Sequence, residues 1–465
     1  MAPKLIWPDW NQKRRGARYW LRPDNLLAGR RRFRSDHSNE WRYEYLRVSS
    51  VPPPPPGENP DPAARSRSFS WLIGKPAANG FRCVILGDSG EGDASQYALL
   101  PVIRALAPDF LIINGDVAYP AGEDQDFSEG FFAPYRGLGV PIWAVPGNHD
   151  YYSANRGREF HEIFCTELRR AQWEEAGLRL KPQPGTYWEL KEPGGNPGLV
   201  ILGVDSGHSG DLDGKRGGGL FGLGTKQPPD QPQHDWLEWR LRLASETGAS
   251  VLLLYHIPTL VREAHVKDSH LEWLHRLIAQ YPCIRLVVTA HEHNYQRYDA
   301  AVFGKYLAQQ FGAAAVAPPP YLVAGSSGAT ISATDFGAGK KTGWGAAVRY
   351  PTEADWKQWA PAGLKLVAKL GLDKSLFKRV VVGLETLFTG LAEESDADRP
   401  ERETLLLLEY DPVQGARVRA CFLDDLMKLY AHLPDDTPVH VQSGSPAVDP
   451  AALAGCFRDA EIPLG

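Results

Sequence analysis

Five short segments place acidic, amide, hydroxyl and imidazole side chains where they can act together. They are Gly87-Asp88-Ser89-Gly90, Gly115-Asp116-Val117-Ala118-Tyr119, Gly147-Asn148-His149-Asp150, Tyr255-His256-Ile257-Pro258 and His291-Glu292-His293. Each alone has an ordinary explanation. An Asp after Gly is a turn former, an Asn-His pair caps a helix, and a single His satisfies a structural hydrogen bond. As an ordered set they supply carboxylates, an amide oxygen and imidazoles, a hard-to-borderline donor mixture suited to zinc, iron or manganese.

Something must bring these segments to one place. Apolar runs bounded by Gly, Asp and Asn recur at Arg82–Leu86, Phe110–Ile113, Ile142–Val145, Leu199–Val204, Val251–Tyr255, Ile284–Thr289 and Tyr321–Ala324. Continuous apolar runs of this length read as strands covered on both faces. Between them, Glu159–Ala176, His234–Glu246 and Leu271–Gln280 carry apolar residues at helical spacing. Alternating strands and helices predict an α/β fold. Four of the five segments follow a predicted strand directly, and ligands at the carboxyl ends of sheet strands converge on one crevice. Thr404–Tyr410 and Ala416–Phe422, separated by a Pro- and Gly-containing turn, predict a hairpin.

In this order the motifs GDSG, GDVAY, GNHD, YHIP and AHEH resemble those of the calcineurin-like metallophosphoesterase superfamily over about residues 81–298. Ala290 stands where that family usually has Gly, a backbone position that leaves the ligands intact. Most of the superfamily has a ligating His two residues after the first Asp, where this chain has Gly90. Tyr119 stands where the purple acid phosphatases supply a tyrosinate, and that subgroup is the nearest resemblance.

The resemblance implies a four-layer α/β/β/α sandwich with two mixed sheets. It also implies two metal ions, one held by Asp88, Asp116, Tyr119 and His293 and the other by Asp116, Asn148, His256 and His291. A phenolate is a hard, charged donor, so the first ion is expected to be ferric iron and the second zinc, manganese or ferrous iron. The implied reaction is hydrolysis of phosphate monoesters by a metal-held hydroxide. His149 is the candidate acid for the leaving group, or else orients phosphate through a hydrogen bond. Asp150 is expected to fix the His149 tautomer or to cap a helix. Arg297 and His208, and more weakly His265, are candidate substrate contacts.

Other readings share some of these features. The same site serves phosphodiesterases and protein phosphatases, and a metal-free binding scaffold is the alternative outside enzymes. All the expected ligand positions are filled, which argues against the scaffold. A nucleic-acid partner has only the N-terminal arm for support. Residues 1–50 carry 12 Lys/Arg against 5 Asp/Glu, whereas the whole chain of 465 residues has a net charge of −5. A basic extension folded back on an acidic body is the preferred account of that asymmetry.

Composition sets further bounds. With 43% hydrophobic residues the chain can bury a sizeable core. Residues 1–80, with the run Pro52–Pro56, predict a basic, Pro-rich extension. Residues 81–425 would form the catalytic domain, with a helical insertion near 350–400, and residues 426–465 a C-terminal tail. A basic amphipathic stripe over 363–391 suits packing on its own domain better than a membrane surface. Five cysteines without a CxxC pair fit a reducing compartment, and no secretion signal or transmembrane span is evident. The expected location is cytoplasmic. Substrate choice would lie in loops such as 207–233 and 335–350.

Overall fold

Successive side chains of a strand face opposite ways, so an apolar run needs cover on both sides. The computed structural model provides that cover. It describes residues 3–6, 80–153, 155, 157–191, 198–207, 230–261, 264–265, 271–329, 344–352, 403–424, 426–441 and 446–464. The expected insertion near 350–400, the stripe over 363–391, most of 1–80 and most of the loop 207–233 lie outside these residues.

The strands in chain order are β1 Lys4–Ile6, β2 Phe81–Leu86, β3 Phe110–Asn114, β4 Ile142–Val145, β5 Trp188–Lys191 and β6 Leu199–Val204. There follow β7 Ser250–Tyr255, β8 Leu260–Val261, β9 Ala264–His265, β10 Ile284–Thr289, β11 Tyr295–Tyr298 and β12 Tyr321–Ala324. The last are β13 Val348–Tyr350, β14 Glu403–Asp411, β15 Gly415–Leu423, β16 Pro438–His440 and β17 Ile462–Pro463. One sheet has the order β17-β15-β14-β2-β3-β4 and the other β13-β11-β12-β10-β7-β6-β5. Each is mixed. β2, β3 and β4 run parallel in the first, β12, β10, β7 and β6 in the second, and antiparallel strands flank both groups.

The two sheets pack face to face. Cys83 and Ile85 of β2, Ile112 of β3, Leu252 and Leu254 of β7 and Val288 of β10 share one core between them. The alternate residues Val84 and Leu86 turn outward, onto a core with Val102, Ile103, Phe160 and Trp173. Those four lie on the helices Leu100–Leu106, Arg158–Phe164 and Arg170–Glu175. Val251 and Leu253 likewise face Trp236, Leu274 and Phe303, which belong to the helices Gln231–Thr247, Glu272–Gln280 and Ala300–Phe311. The fold is therefore a four-layer α/β/β/α sandwich, with each fully buried aliphatic side chain contributing about 1.5–3 kcal/mol.

One expected helix is broken in two. The periodicity over Glu159–Ala176 is interrupted after Phe164 because Thr166 substitutes its own side chain for helix hydrogen bonds. Its hydroxyl donates to the Glu162 carbonyl at 2.7 Å and accepts from the Leu168 N–H at 3.1 Å. The C-terminal segment also belongs to the body. Leu426, Leu429, Tyr430, Val439 and Val448 join the outer core of the six-stranded sheet. β17 extends that sheet's edge, and β16 pairs in parallel with β1.

Candidate metal centre

All five motif segments leave the carboxyl ends of parallel strands. Asp88 follows β2, Asp116 and Tyr119 follow β3, Asn148 and His149 follow β4, His256 follows β7, and His291 and His293 follow β10. The first three strands belong to one sheet and the last two to the other, so the site straddles the sandwich. Asp88, Asp116 and His291 have left-handed backbones, with φ of 55°, 50° and 68°. Such conformations cost non-glycine residues about 1–3 kcal/mol each and are held only by surrounding bonds. Here the Asp88 carboxylate accepts the His291 N–H at 2.6 Å, and the Asp88 N–H donates to the Gly115 carbonyl at 3.1 Å.

The Tyr119 hydroxyl sits at one hub. It is 3.0 Å from Asp88 Oδ1, 3.0 Å from Asp116 Oδ2 and 3.1 Å from His293 Nε2. The phenol proton can serve only one of the two carboxylates at a time. Burial, followed by the Asp116 and Asp88 carboxylates, raises the phenol well above its ordinary value. A cation among these four groups would reverse that balance.

Gly90 explains why this position carries no histidine. A Cβ there would lie 2.3 Å from the Val117 carbonyl oxygen. The chain of the next motif is packed directly on it, and the Tyr119 N–H donates to the Gly90 carbonyl at 3.0 Å. Giving up a side chain at position 90 lets this loop approach, and the loop carries Tyr119 into the site.

His256 forms the second hub. Its Nδ1 is 3.0 Å from the Asn114 carbonyl, which can only accept, so Nδ1 carries the proton. Its Nε2 faces Asp116 Oδ2 at 3.2 Å, Asn148 Oδ1 at 3.2 Å and, farther off, Asp88 Oδ1 at 3.9 Å. These oxygens converge on Nε2, where either a proton on the ring or a bound cation would balance them. Burial alone would lower this imidazole, but the Asp116 and Asp88 carboxylates overcome it and raise it to about 9. His291 completes the group, its ligand atom lying within 4.8 Å of those of Asp116 and His256. Burial and the neighbouring His256 lower His291 to about 3. Asp116 is common to both hubs. Burial pushes its carboxyl up, and His256 and His149 more than offset this, holding it below the usual range. The donor set suits metal ions: hard oxygens and imidazoles meet around two shared points.

His149 lies beside both hubs. Its N–H donates to Asp116 Oδ1 at 2.8 Å, and its Nδ1 donates to the Pro120 carbonyl at 2.7 Å. Nε2 is thereby left as the atom that takes or gives a proton. Its ring lies 4.5 Å from that of Tyr119 and 4.8 Å from that of Tyr152. Burial lowers this imidazole, against the pull of Asp116. Asp150 corrects an expectation. It neither orients His149 nor caps a helix, because its carboxylate turns back to accept from the N–H groups of Val117, Ala118 and Gly147. It thus ties the second motif to the third.

Arg297 sits on β11, which follows the His-x-His segment, and it pairs with Asp459 and with Asp299 at 3.3 Å. His208 lies outside the described residues, and His265 is described only as part of the short strand β9.

Three supporting residues escaped the sequence analysis. Asn114 ends β3 and donates its amide across to the carbonyls of Tyr255 and Val288, both at 3.2 Å, joining the two sheets beneath the site. A polar residue closing the apolar run Phe110–Ile113 was the available signal. Ser206 accepts the N–H groups of His256 at 3.0 Å and Ile257 at 2.9 Å, which fixes the backbone that presents His256. Asp205 accepts from the Tyr151 hydroxyl at 2.5 Å and so anchors the third motif.

The chain is similar to several solved structures. Against a purple acid phosphatase from yellow lupin (Lupinus luteus) seeds it has 13% identity and a TM-score of 0.41, covering 76% of this chain and 53% of that one. It therefore spans about half the length of the lupin protein. Against a dimetal phosphatase from Danio rerio the identity is 15% and the TM-score 0.35, covering 54% of this chain and 88% of that one. Against GAP50, the anchor in the inner membrane complex of Plasmodium, the values are 10% and 0.42, covering 79% and 99%. No curated protein sequence matches the chain. Among the described residues no helix is long and apolar enough to cross a membrane. Residues 81–295, the segment that contains all five motifs, match the family model of the calcineurin-like phosphoesterases.

Proposed function

We propose that the chain is a two-metal phosphoesterase acting on phosphate monoesters. One ion is held by Asp88, Asp116, Tyr119 and His293, and the other by Asp116, Asn148, His256 and His291. The observation that supports this most is the pair of acceptor-lined hubs sharing Asp116, around the Tyr119 hydroxyl and around His256 Nε2. Metals in these places supply Lewis-acid activation of water and neutralise phosphate charge. Ferric iron suits the phenolate side, and zinc, manganese or ferrous iron the other.

The chain's own residues do the rest. The Pro120 carbonyl accepts the Nδ1–H of His149, so that in the protonated ring Nε2–H is the proton available to the leaving oxygen, and the ring is left neutral with its proton on Nδ1. Asp150 and Ser206 hold the backbones from which Asp116 and His256 project. His149, His291 and His293 are only partly buried and form the side from which an ester approaches. No covalent protein intermediate is required. The free cysteines fit a reducing compartment, and the cytoplasm is the location this reading takes.

A phosphate-release screen over monoesters, diesters and nucleotides, run with defined metals, tests the proposal. Monoesters should turn over fastest. Faster release from diesters would move the assignment to a phosphodiesterase, and no release with any metal would remove the enzyme reading.

A further inference from the structure

Tyr152 stands four residues beyond Asn148, after the single 3-10 turn His149–Tyr151, and is only partly buried. That turn brings its hydroxyl back over the third motif, where it accepts a hydrogen bond from Asn148 Nδ2 at 2.9 Å. The two ends of the Asn148 amide therefore meet different surroundings. Oδ1 faces His256 Nε2 and the second hub, and Nδ2 faces Tyr152. An amide that ligates through oxygen needs its NH2 group satisfied elsewhere, since that group is a donor and repels a cation. We infer that Tyr152 is a positioning residue for the second metal ion. It takes up the Asn148 NH2, fixes the amide with oxygen toward the metal, and strengthens that oxygen as a donor. The inference rests on the two-metal reading above.

Two features separate this from ordinary packing. The hydroxyl meets Asn148, a donor of the second hub, so its influence falls on that hub. The ring also lies against His149 at 4.8 Å, so hydroxyl and ring have separable effects. Partners that orient a metal ligand typically change metal affinity by about 10–100-fold when removed.

The test uses the full chain stripped of metal with a chelator and titrated with Mn2+ by calorimetry. Wild type should show two binding events. Tyr152→Phe keeps the ring and removes the hydroxyl. It should weaken one event about tenfold to a hundredfold, leave the other within about twofold, and leave the melting temperature of the metal-free protein unchanged. Tyr152→Leu should reproduce that weakening and also lower kcat, because His149 loses its ring neighbour. Unchanged Mn2+ affinities in Tyr152→Phe, or an equal loss at both sites, would overturn the inference and leave the two-metal reading intact. A wild-type chain that binds fewer than two Mn2+ ions overturns both.

Discussion

The Tyr119 hydroxyl lies 3.0 Å from both Asp88 Oδ1 and Asp116 Oδ2, the carboxylates contributed by the first two motifs. A neutral phenol gains one hydrogen bond from such a neighbourhood, whereas a phenolate shares a cation with both carboxylates. Iron-loaded wild type should therefore absorb in the visible through phenolate-to-ferric charge transfer. Tyr119→Phe should abolish the band while the ion bound through His256 is retained. An unchanged spectrum rules out ferric iron beside Tyr119.

Restoring the common histidine should damage the protein. Gly90→His places a Cβ 2.3 Å from the Val117 carbonyl oxygen, and both partners there are backbone. The loop carrying Tyr119 must shift, and a loss of about 3 kcal/mol or more is expected, in the range of severe steric substitutions. Urea unfolding of the metal-free protein measures it. A stable Gly90→His protein with full metal content would show that the close packing of Gly90 is dispensable.

His149 touches the site through its own backbone N–H, which survives side-chain truncation. His149→Ala should keep both metals and lose kcat by about 10²–10⁴-fold, the usual contribution of a positioned acid. Substrates with good leaving groups need less protonation and should lose less. An equal loss for activated and unactivated esters would assign His149 to phosphate orientation instead.

Ser206→Ala removes the acceptor shared by two backbone donors beneath His256. Each buried donor left without a partner costs about 1–3 kcal/mol, so a destabilisation of about 2–6 kcal/mol is expected for the two. Metal affinity should fall with it because the His256 backbone is released. Chemical denaturation and Mn2+ titration of the same preparation measure the two effects, and a change below about 0.5 kcal/mol would remove Ser206 from the supporting frame.

Much of this architecture is written in local pattern. The runs that became β2, β3, β4, β6, β7, β10 and β12 are continuous and apolar because both of their faces are covered, and the hairpin of β14 and β15 is marked by its turn. The ligating motifs are legible because each couples a turn former to a donor at a strand end. What escaped depends on contacts between distant segments. Nothing near Asn114 indicates that β7 and β10 present carbonyls to it, 141 and 174 residues away. Ser206 and Tyr152 look like ordinary loop residues until His256 and Asn148 are brought beside them. β5 is only four residues long, and the helix Ala300–Phe311 follows β11 after a single residue, so neither stood out as an element of its own.

The central claim is that the two hubs joined by Asp116 hold two metal ions. Elemental analysis by plasma mass spectrometry of wild type and Asp116→Ala, purified in parallel and reconstituted with iron and zinc, tests it most directly. The account predicts two equivalents in wild type and well below one in the variant, with phosphatase activity lost in step. Two full equivalents in Asp116→Ala, or none in reconstituted wild type, would contradict it.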